Sequence, residues 1–188
     1  VLGSLFALVK ISKVKPLKWL INAIVEIIRG TPILLQLYIF YFVLPQLLPF
    51  LKLSSFMWVA VAMCVNSSAY VSEVIRSGIQ AVDKGQMEAA RSLGLSKSQA
   101  MVKIILPQAI KYILPAIGNE CIALLKETSV AGYVAVVDVT KAATNIRNKT
   151  YDAVNPIILL ALIYLVMVVA LTRLLAIMER RLRKSDGK

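Results

Sequence analysis

The sequence contains no histidine in 188 residues. This absence excludes zinc sites with histidine ligands and the nucleophilic triads in which histidine acts as the base. The chain also lacks a phosphate-binding loop of the form Gly, four residues, Gly-Lys-Ser/Thr. Its carboxylates have basic neighbours, and no reactive group of side chains stands out. We therefore predict that this chain is not an enzyme and holds no metal or cofactor of its own.

Cysteine is nearly as scarce, since only Cys64 and Cys121 occur, both in apolar surroundings and at unrelated spacing. Two cysteines placed in this way do not predict a disulfide framework. We expect both to be buried free thiols, because an unpaired cysteine behaves as a small apolar side chain.

Acidic residues are also few, ten against 22 lysines and arginines, which gives a net charge of +12. Such an excess is common in proteins that bind nucleic acid. Here, however, the basic residues flank apolar runs, at 10–18, 84–103 and 180–184. Basic residues in these places mark the cytoplasmic ends of membrane helices. We infer a chain in contact with membrane lipid and predict no nucleic-acid partner.

Apolar sequence is abundant: 59% of the residues are hydrophobic and the mean hydropathy is +0.74. Residues 30–51, 53–72 and 153–172 contain no charged side chain, and each run is 20 residues or longer. About 20 apolar residues are enough for a helix to cross the hydrocarbon core. The runs predict an all-α integral membrane protein in which residues 1–188 form one transmembrane domain.

The amino-terminal part is expected to hold two helices. We predict that residues 1–9 form the cytoplasmic half of a first helix. This helix is expected to be truncated, because the chain opens without methionine. A basic turn over 10–18 would follow, overlapping a helix over 17–29. Gly30-Thr31-Pro32 would end that helix, and Thr31 would cap the next one.

Four further spans are predicted over 32–48, 55–81, 105–126 and 154–178, which makes five with the truncated first helix. Prolines and charged residues interrupt 105–126, so we expect a broken helix that scores poorly for hydropathy. The distribution of lysine and arginine predicts the orientation. The amino terminus and residues 127–152 would lie outside, whereas residues 83–104 and the carboxyl terminus would lie inside.

Residues 83–104 are too polar to cross the membrane, but their apolar residues have helical spacing. A short amphipathic helix of this kind can lie flat in the membrane interface, connect two spans in solvent, or dock against another protein. Ala89, Ala90 and Gly94 favour docking, because small residues permit close approach and glycine can end a helix. Glu88 suits a position early in such a helix. The residues alone leave all three alternatives open.

The segment from Glu88 to Pro107 resembles the cytoplasmic loop of permeases from binding-protein-dependent ABC transporters. The chain matches the fixed positions of that loop at Glu88-Ala89-Ala90, Gly94, Ile104 and Leu106-Pro107. The resemblance implies the type I importer permease fold, with a cytoplasmic coupling loop over 83–106. The residues in contact with the ATP-binding subunit would be Glu88, Ala89, Ala90, Leu93, Gly94, Leu106 and Pro107.

The same resemblance implies a set of partners. An ATP-binding subunit in two copies would bind ATP and magnesium and carry out hydrolysis. An extracytoplasmic substrate-binding protein would deliver the solute, and a second permease subunit, identical or different, would complete the pathway. The assembly would lie in the inner membrane of a prokaryotic cell.

Further stretches resemble the polar amino acid branch of this family, which includes histidine, glutamine and arginine permeases. They are 29–36, 66–70, 118–120 and 124–129, whereas Val130-Ala131-Gly132 and Val137-Asp138 depart from the family pattern. The resemblance implies an importer of polar amino acids. The alternative from another class, a passive channel or ion-coupled carrier, has no need of a docking loop with this pattern.

Charges at membrane depth are costly and mark either ion pairs or a solute pathway. Glu26 and Arg29 are three residues apart, as are Glu73 and Arg76, so each pair can meet on one helix face as a structural ion pair.

A second group of polar residues is predicted to line the substrate pathway. Discontinuous helices commonly build solute sites in transporters, and Glu120, Lys126 and Glu127 lie in the segment expected to be broken. Asn66 and Ser68 complete the group. An excess of one acid over the bases at membrane depth favours a cationic substrate such as arginine, lysine or histidine.

Overall fold

The computed structural model describes residues 1–12, 14–134 and 136–184, and the regular structure in these ranges is entirely helical. The helices are α1 (Leu2–Ile11), α2 (Lys15–Gly30), α3 (Ile33–Tyr38), α4 (Leu44–Leu47), α5 (Ser55–Gln80), α6 (Lys84–Ser92), α7 (Lys97–Ala100), α8 (Leu106–Glu127), α9 (Val139–Thr150) and α10 (Asn155–Lys184). π-helical turns join α3 to α4 and α7 to α8, and a 3-10 segment, Thr128–Val134, extends α8. The predicted all-α fold class is confirmed.

Within the described ranges, three helical segments are long and apolar enough to cross a membrane: Ser55–Gln80, Lys97–Val134 and Asn155–Arg180. The pair Lys15–Gly30 and Ile33–Leu47 would form a fourth span, bent by 106° between its two helices. The spans predicted over 55–81, 105–126 and 154–178 correspond to the first three segments, whereas α1, at ten residues, is too short to meet the same criterion.

The central helix of the bundle is α5, which contacts α1, α2, α3 and α8. The hydroxyl of Ser54 caps its amino end by accepting a hydrogen bond from the Met57 N–H. Small residues such as Ala62, Ala69 and Gly78 are buried along its length. Small side chains let membrane helices approach one another closely, which explains how α5 can have several neighbours.

Contacts along α5 define the direction of α1. Gly3 lies against Val71, and Ile11 lines the same cavity as Ile79, so the two helices run in the same direction.

Helix α8 runs antiparallel to α5. Gly78 faces Ile113, whereas Val82, just beyond the end of α5, clusters with Ile105 and Ala109 where α8 begins. A Cβ atom at Gly78 would collide with the side chain of Ile113, so this close approach depends on glycine. The close packing of α8 on α5 at this point therefore depends on a residue without a side chain.

Helix α10 runs antiparallel to α8 in turn. Gly118 packs against Leu175, and Lys126, two turns later, lines a groove with Ile157. These directions bring the carboxyl ends of α1, α5 and α10 to the same end of the bundle as α6 and α7. We call this the α6 end.

The prediction that residues 105–126 form a broken helix with poor hydropathy is wrong. Helix α8 is continuous from Leu106 to Glu127, and the segment Lys97–Val134 reaches a mean hydropathy of 1.4. Pro107 lies just after the π-helical turn Met101–Ile105, where the α-helical hydrogen-bond pattern is already interrupted and the missing N–H is tolerated. Pro115 removes one hydrogen bond of the helix, and the packing of Ile113 against α5 holds the helix together there.

The predicted break at residues 30–32 is confirmed, but Thr31 does not cap α3. Its Oγ1 donates to the Ile27 carbonyl oxygen at 2.9 Å and so closes the end of α2. The amide of Gln36 spans the bend, because its Nε2 donates to the Ile28 carbonyl at 2.7 Å and to Thr31 Oγ1 at 2.8 Å. Side-chain hydrogen bonds thus replace the backbone bonds that the bend interrupts.

The expectation that both cysteines are buried is wrong. Cys64 on α5 and Cys121 on α8 are free thiols exposed at the surface of this chain. Both belong to candidate membrane spans, so their surroundings are lipid or another subunit rather than water.

The charged residues of α5 pair only partly as expected. Glu73 and Arg76 form the predicted ion pair, with Arg76 Nη2 and Nε at 2.7 Å and 2.9 Å from Glu73 Oε2. Lys10, expected in an exposed basic turn, is instead buried in α1 and donates to Oε1 of the same carboxylate. Arg29 Nη1 lies 3.9 Å from Glu73 Oε2. One carboxylate therefore faces cations from α1, α2 and α5.

The predicted pair between Glu26 and Arg29 is wrong. Arg29 extends over the ring of Tyr70 on α5, with its guanidinium carbon 5.4 Å from the ring centroid, and it approaches Glu73 instead. In the described part of the chain Glu26 forms no ion pair and faces a cavity. The packing of α2 against α5 brings Arg29 near Glu73, so Arg29 does not pair with Glu26 on its own helix.

The region predicted as an external loop, 127–152, is largely helical. The 3-10 segment buries Ala131 and Gly132, and α9 begins after Asp138, whose Oδ1 accepts a hydrogen bond from the Lys141 N–H at 2.7 Å. The two departures from the family pattern thus fall in a packed turn and around a helix cap.

Asp152 stabilises the start of α10 through hydrogen bonds. Its carboxylate accepts hydrogen bonds from the Asn155 side chain and from the backbone N–H groups of Asn155 and Val154. These bonds favour the ionised form, so they lower the pKa of Asp152 below its ordinary value.

We expect Glu73→Gln to lower the free energy of unfolding by about 3–5 kcal/mol, because it leaves the buried Lys10 and the half-buried Arg76 without their carboxylate. Glu26→Gln is the matched control, and it should change that free energy by less than about 0.5 kcal/mol. Denaturant unfolding of the purified protein in detergent micelles, followed by tryptophan fluorescence, measures both. Equal effects of the two substitutions would contradict the role of Glu73 as the common partner.

Candidate functional site

The coupling loop predicted over 83–106 forms two short helices at the α6 end. Asp83 begins α6 by accepting a hydrogen bond from the Gly85 N–H at 2.7 Å. A carboxylate at this place also interacts favourably with the positive end of the helix dipole. The loop is therefore an ordered structural unit rather than a flexible connector.

Gly94 ends α6 and turns the chain, as the sequence predicts. Its φ is +86°, a left-handed conformation that side chains with a Cβ atom rarely adopt. The Leu95 N–H donates to the Ala90 carbonyl, and the Gly94 N–H donates to the Arg91 carbonyl, both at 3.1 Å. These two bonds form a Schellman motif, which satisfies the last carbonyl groups of the helix.

The second helix of the loop, α7, begins three residues after Gly94 and has Ser96 as its N-cap. Ser96 Oγ accepts a hydrogen bond from the Gln99 N–H at 3.2 Å, and Gln99 Oε1 accepts one from the Ser96 N–H at 2.8 Å. This reciprocal capping box fixes the direction in which α7 leaves the turn.

The loop presents an apolar side chain on an otherwise polar surface. Leu93 is 82% exposed, and it lies beside Glu88 and Ala89, which are also exposed. Ala90 is 1% exposed, so its side chain serves the internal packing of the loop rather than an outer surface. Val102, which sequence reasoning missed, is 60% exposed in the turn after α7. The signal available in the sequence was that Val102 is an apolar residue within a basic stretch.

Two contacts attach α6 to the membrane helices. Met87 packs against a cluster that joins Val82, after the end of α5, to Ile105 at the start of α8. Gln108 Nε2 also donates to Gln86 Oε1, at 3.3 Å. Leu106 and Pro107, predicted as coupling residues, form the first turn of α8 beside these contacts. Helix α6 is therefore in contact with the end of α5 and with the beginning of α8.

The predicted pathway carboxylates lie on one helix. Glu120 and Glu127 are seven residues apart on α8, so they share a helix face, and both are half-buried. Within the described ranges neither forms a hydrogen bond or an ion pair, although Glu120 lies in the electrostatic field of Glu127 and Arg29. The exposed Lys126 lines a separate groove.

Asn66 and Ser68, also predicted to line the pathway, are buried and engaged in hydrogen bonds. Asn66 Nδ2 donates to Gln36 Oε1 at 2.9 Å, and Ser68 Oγ donates to the Val65 carbonyl oxygen at 2.7 Å. Asn66 thereby attaches α5 to the bend between α2 and α3. The structure does not place either residue beside Glu120 or Glu127 in an open site.

The described ranges bring together no three His, Cys, Asp or Glu residues that could hold a metal ion. The candidate site therefore has two parts. One is the exposed, capped helix α6, which packs against α5 and α8, and the other is the pair of carboxylates on α8.

Relatives of known description share nearly the whole chain. It is 44% identical over 186 residues to the arginine transport system permease protein ArtQ of Bacillus subtilis (strain 168), covering 99% of this chain and 84% of that protein. It is 45% identical over 185 residues to the probable glutamine ABC transporter permease protein GlnM of the same organism, covering 98% and 85%.

Solved structures agree. A crystal structure of an amino acid ABC transporter with histidines is 46% identical and superimposes with a TM-score of 0.91, over 96% of this chain and 83% of that one. The MetNI methionine ABC transporter in an inward-facing conformation, 17% identical, has a TM-score of 0.77 over 96% and 84% and so shares the fold.

The family model described as binding-protein-dependent transport system inner membrane component matches residues 1–184. In this family an ATPase subunit hydrolyses ATP and a binding protein delivers the solute, so a passive channel or ion-coupled carrier is excluded. The chain therefore belongs to the binding-protein-dependent inner membrane components and is the permease subunit of an ABC transporter, not an enzyme.

Proposed function

We propose that this permease imports polar amino acids and that α6 is the surface through which ATP hydrolysis drives it. The observation that carries the proposal is the exposed, doubly capped loop fixed to both α5 and α8. The amino acid substrate is supported by the arginine and glutamine relatives.

Glu88, Ala89, Leu93 and Gly94 form the docking surface for the ATP-binding subunit in this proposal. Leu93 supports it most directly, because a leucine that is 82% exposed on a polar loop gains free energy when a partner covers it. Ala90 maintains the internal packing of the loop, whereas Leu106 and Pro107 carry its movement into α8. ATP and magnesium belong to the partner subunit.

The assembly that we propose holds two copies of the ATP-binding subunit, one extracytoplasmic binding protein and a second permease, identical or different. The exposed apolar surface of α10 supports a larger assembly in lipid, since none of its most apolar window is buried within this chain. A pathway between two permeases would also give the exposed thiols of α5 and α8 apolar neighbours.

The orientation that we propose places the α6 end in the cytoplasm. Lys84, Arg91, Lys97, Lys103 and Arg180 all belong to this end, which is the distribution expected for the cytoplasmic side. The carboxyl terminus is then cytoplasmic, and the amino-terminal end of α1 lies on the outer side. Residues 1–188 act as one transmembrane domain, with 83–106 as its coupling loop.

Glu120 and Glu127 form the substrate-attracting part of the pathway in this proposal, with Lys126 next to them. Two half-buried carboxylates without an ion pair in the described ranges attract an ammonium or guanidinium group. Their presence favours cationic amino acids such as arginine, lysine or histidine. Asn66 and Ser68 support the pathway from inside the bundle rather than by contact.

Glu88→Lys should release the ATP-binding subunit while the amount of inserted permease stays unchanged, because it reverses a charge on the docking surface. We expect at least about a tenfold loss of co-purified ATPase subunit after solubilisation. Glu88→Gln, which removes the charge without reversing it, should lose less. Full retention of the subunit by Glu88→Lys together with normal uptake would contradict this docking role.

Substitutions of Gly94 distinguish its role in the backbone turn from its role on the docking surface. Gly94→Asn should keep the turn, because asparagine tolerates a left-handed φ, whereas Gly94→Ala should destabilise it by about 1–2 kcal/mol. Apart from the two chain neighbours of Gly94, no atom of the residues that the structure describes lies within 4 Å of a Cβ built there. Any further loss of ATPase coupling in Gly94→Leu relative to Gly94→Ala therefore reports contact with the partner. Equal behaviour of these two variants would make Gly94 only a turn.

Glu120→Gln and Glu127→Gln should lower uptake of arginine and lysine by about tenfold and uptake of glutamine less, because they remove the attracting charge. Uptake is measured in proteoliposomes that contain the full complex, with the binding protein supplied in excess. Glu179→Gln on α10 is the control and should change neither uptake. If both carboxamide variants transport all three amino acids as the parent protein does, the carboxylates have a structural role.

A further inference from the structure

A basic cavity of about 540 Å³ opens between α1, α2 and α5 at the α6 end. Its charged lining consists of Lys10, Lys18, Arg29, Arg76, Glu26 and Glu73. The carboxylates of α8 do not line this cavity, although Arg29 lies in the electrostatic field of Glu120, and the cavity takes no part in the docking surface of α6. Neither coupling nor the substrate pathway explains its charges.

The cavity has a formal surplus of two positive charges, since four cations face two carboxylates. Glu73 is fully engaged by Lys10 and Arg76. Arg76 also donates to Gln80, through Nη1 at 2.8 Å. Within the described ranges Lys18 and Arg29 are the lining cations that donate no hydrogen bond: Lys18 is exposed, and the side chain of Arg29 is 44% exposed.

Helix α2 has the composition of a helix that lies in the membrane interface. Its polar face, with Lys18, Asn22 and Glu26 four residues apart, lines the cavity. On the exposed side of α2 that adjoins this face, Trp19 is 73% exposed and Ile27 is 65% exposed. Tryptophan beside basic residues is typical of the headgroup region, and the 106° bend turns α2 away from the direction of the following span.

The geometry points to a binding site for the phosphate group of an anionic phospholipid, held by Lys18 and Arg29 with its acyl chains along the outer face of α2. This inference rests on the proposed orientation, which places the cavity at the cytoplasmic leaflet, where basic pockets between membrane helices bind anionic headgroups. The planar guanidinium of Arg29 suits two phosphate oxygens at once. Asn22 adds a neutral donor at the same wall.

Native mass spectrometry of the delipidated complex, titrated with phosphatidylglycerol or with phosphatidylcholine of the same acyl chains, tests the site. The parent protein should bind phosphatidylglycerol about tenfold more tightly, a preference expected from two unneutralised cations. Lys18→Gln combined with Arg29→Gln should abolish the preference. Lys15→Gln combined with Lys52→Gln removes the same charge outside the cavity and should change it less than about twofold.

A variant that is expected to strengthen lipid binding distinguishes a loss of the binding site from a loss of folding. Glu26→Gln increases the positive surplus of the cavity, so it should raise binding of phosphatidylglycerol. Equal binding of the two lipids by the parent protein would overturn the inference, as would equal loss in both double variants. Displacement of the lipid by millimolar inorganic phosphate, or by free arginine or glutamine, would show a soluble ligand instead. Lipid binding in micelles does not depend on transport, so its failure leaves the proposed import function untouched.

Discussion

The carboxylate of Glu73 is the contact on which the arrangement of α1, α2 and α5 depends. It lies within a candidate membrane span, where an unpaired charge is costly. Lys10 and Arg76 neutralise it, and Arg29 approaches it at 3.9 Å. Because the three cations come from three different helices, the ionic contact also defines how these helices meet. Small residues of α5 let these helices approach one another closely enough for the ionic contact to form.

The other side of α5 packs against α6 and α8. Val82, Ile105 and Met87 form one apolar cluster, so α6 is packed against the end of α5 and the beginning of α8 at the same time. Since α8 is continuous through Pro115, the helix that contacts α6 also carries Glu120 and Glu127. The proposed coupling surface and the proposed pathway are thus joined by one continuous helix, about 33 Å long for its 22 residues.

Local features of the structure were largely predictable from the sequence. The uncharged runs identified α5 and α10, because the requirement for about 20 apolar residues is a property of the bilayer and not of the fold. Gly94 as the end of α6 followed from the tolerance of glycine for a left-handed φ. The continuity of α8 was not predictable in this way, since a proline in a helix is tolerated only when neighbouring helices hold the turn around it.

From composition and short-range spacing it could be predicted that the chain is helical, that it belongs in a membrane and that it carries a polar loop with a family pattern. Which charges meet could not be predicted in this way, because it depends on the tertiary structure. Arg29 lies three residues from Glu26 but approaches Glu73, and Lys10 reaches the same carboxylate across 63 positions. Pairing at such distances depends on how α1 and α2 pack against α5, and spacing along one helix contains no information about that packing.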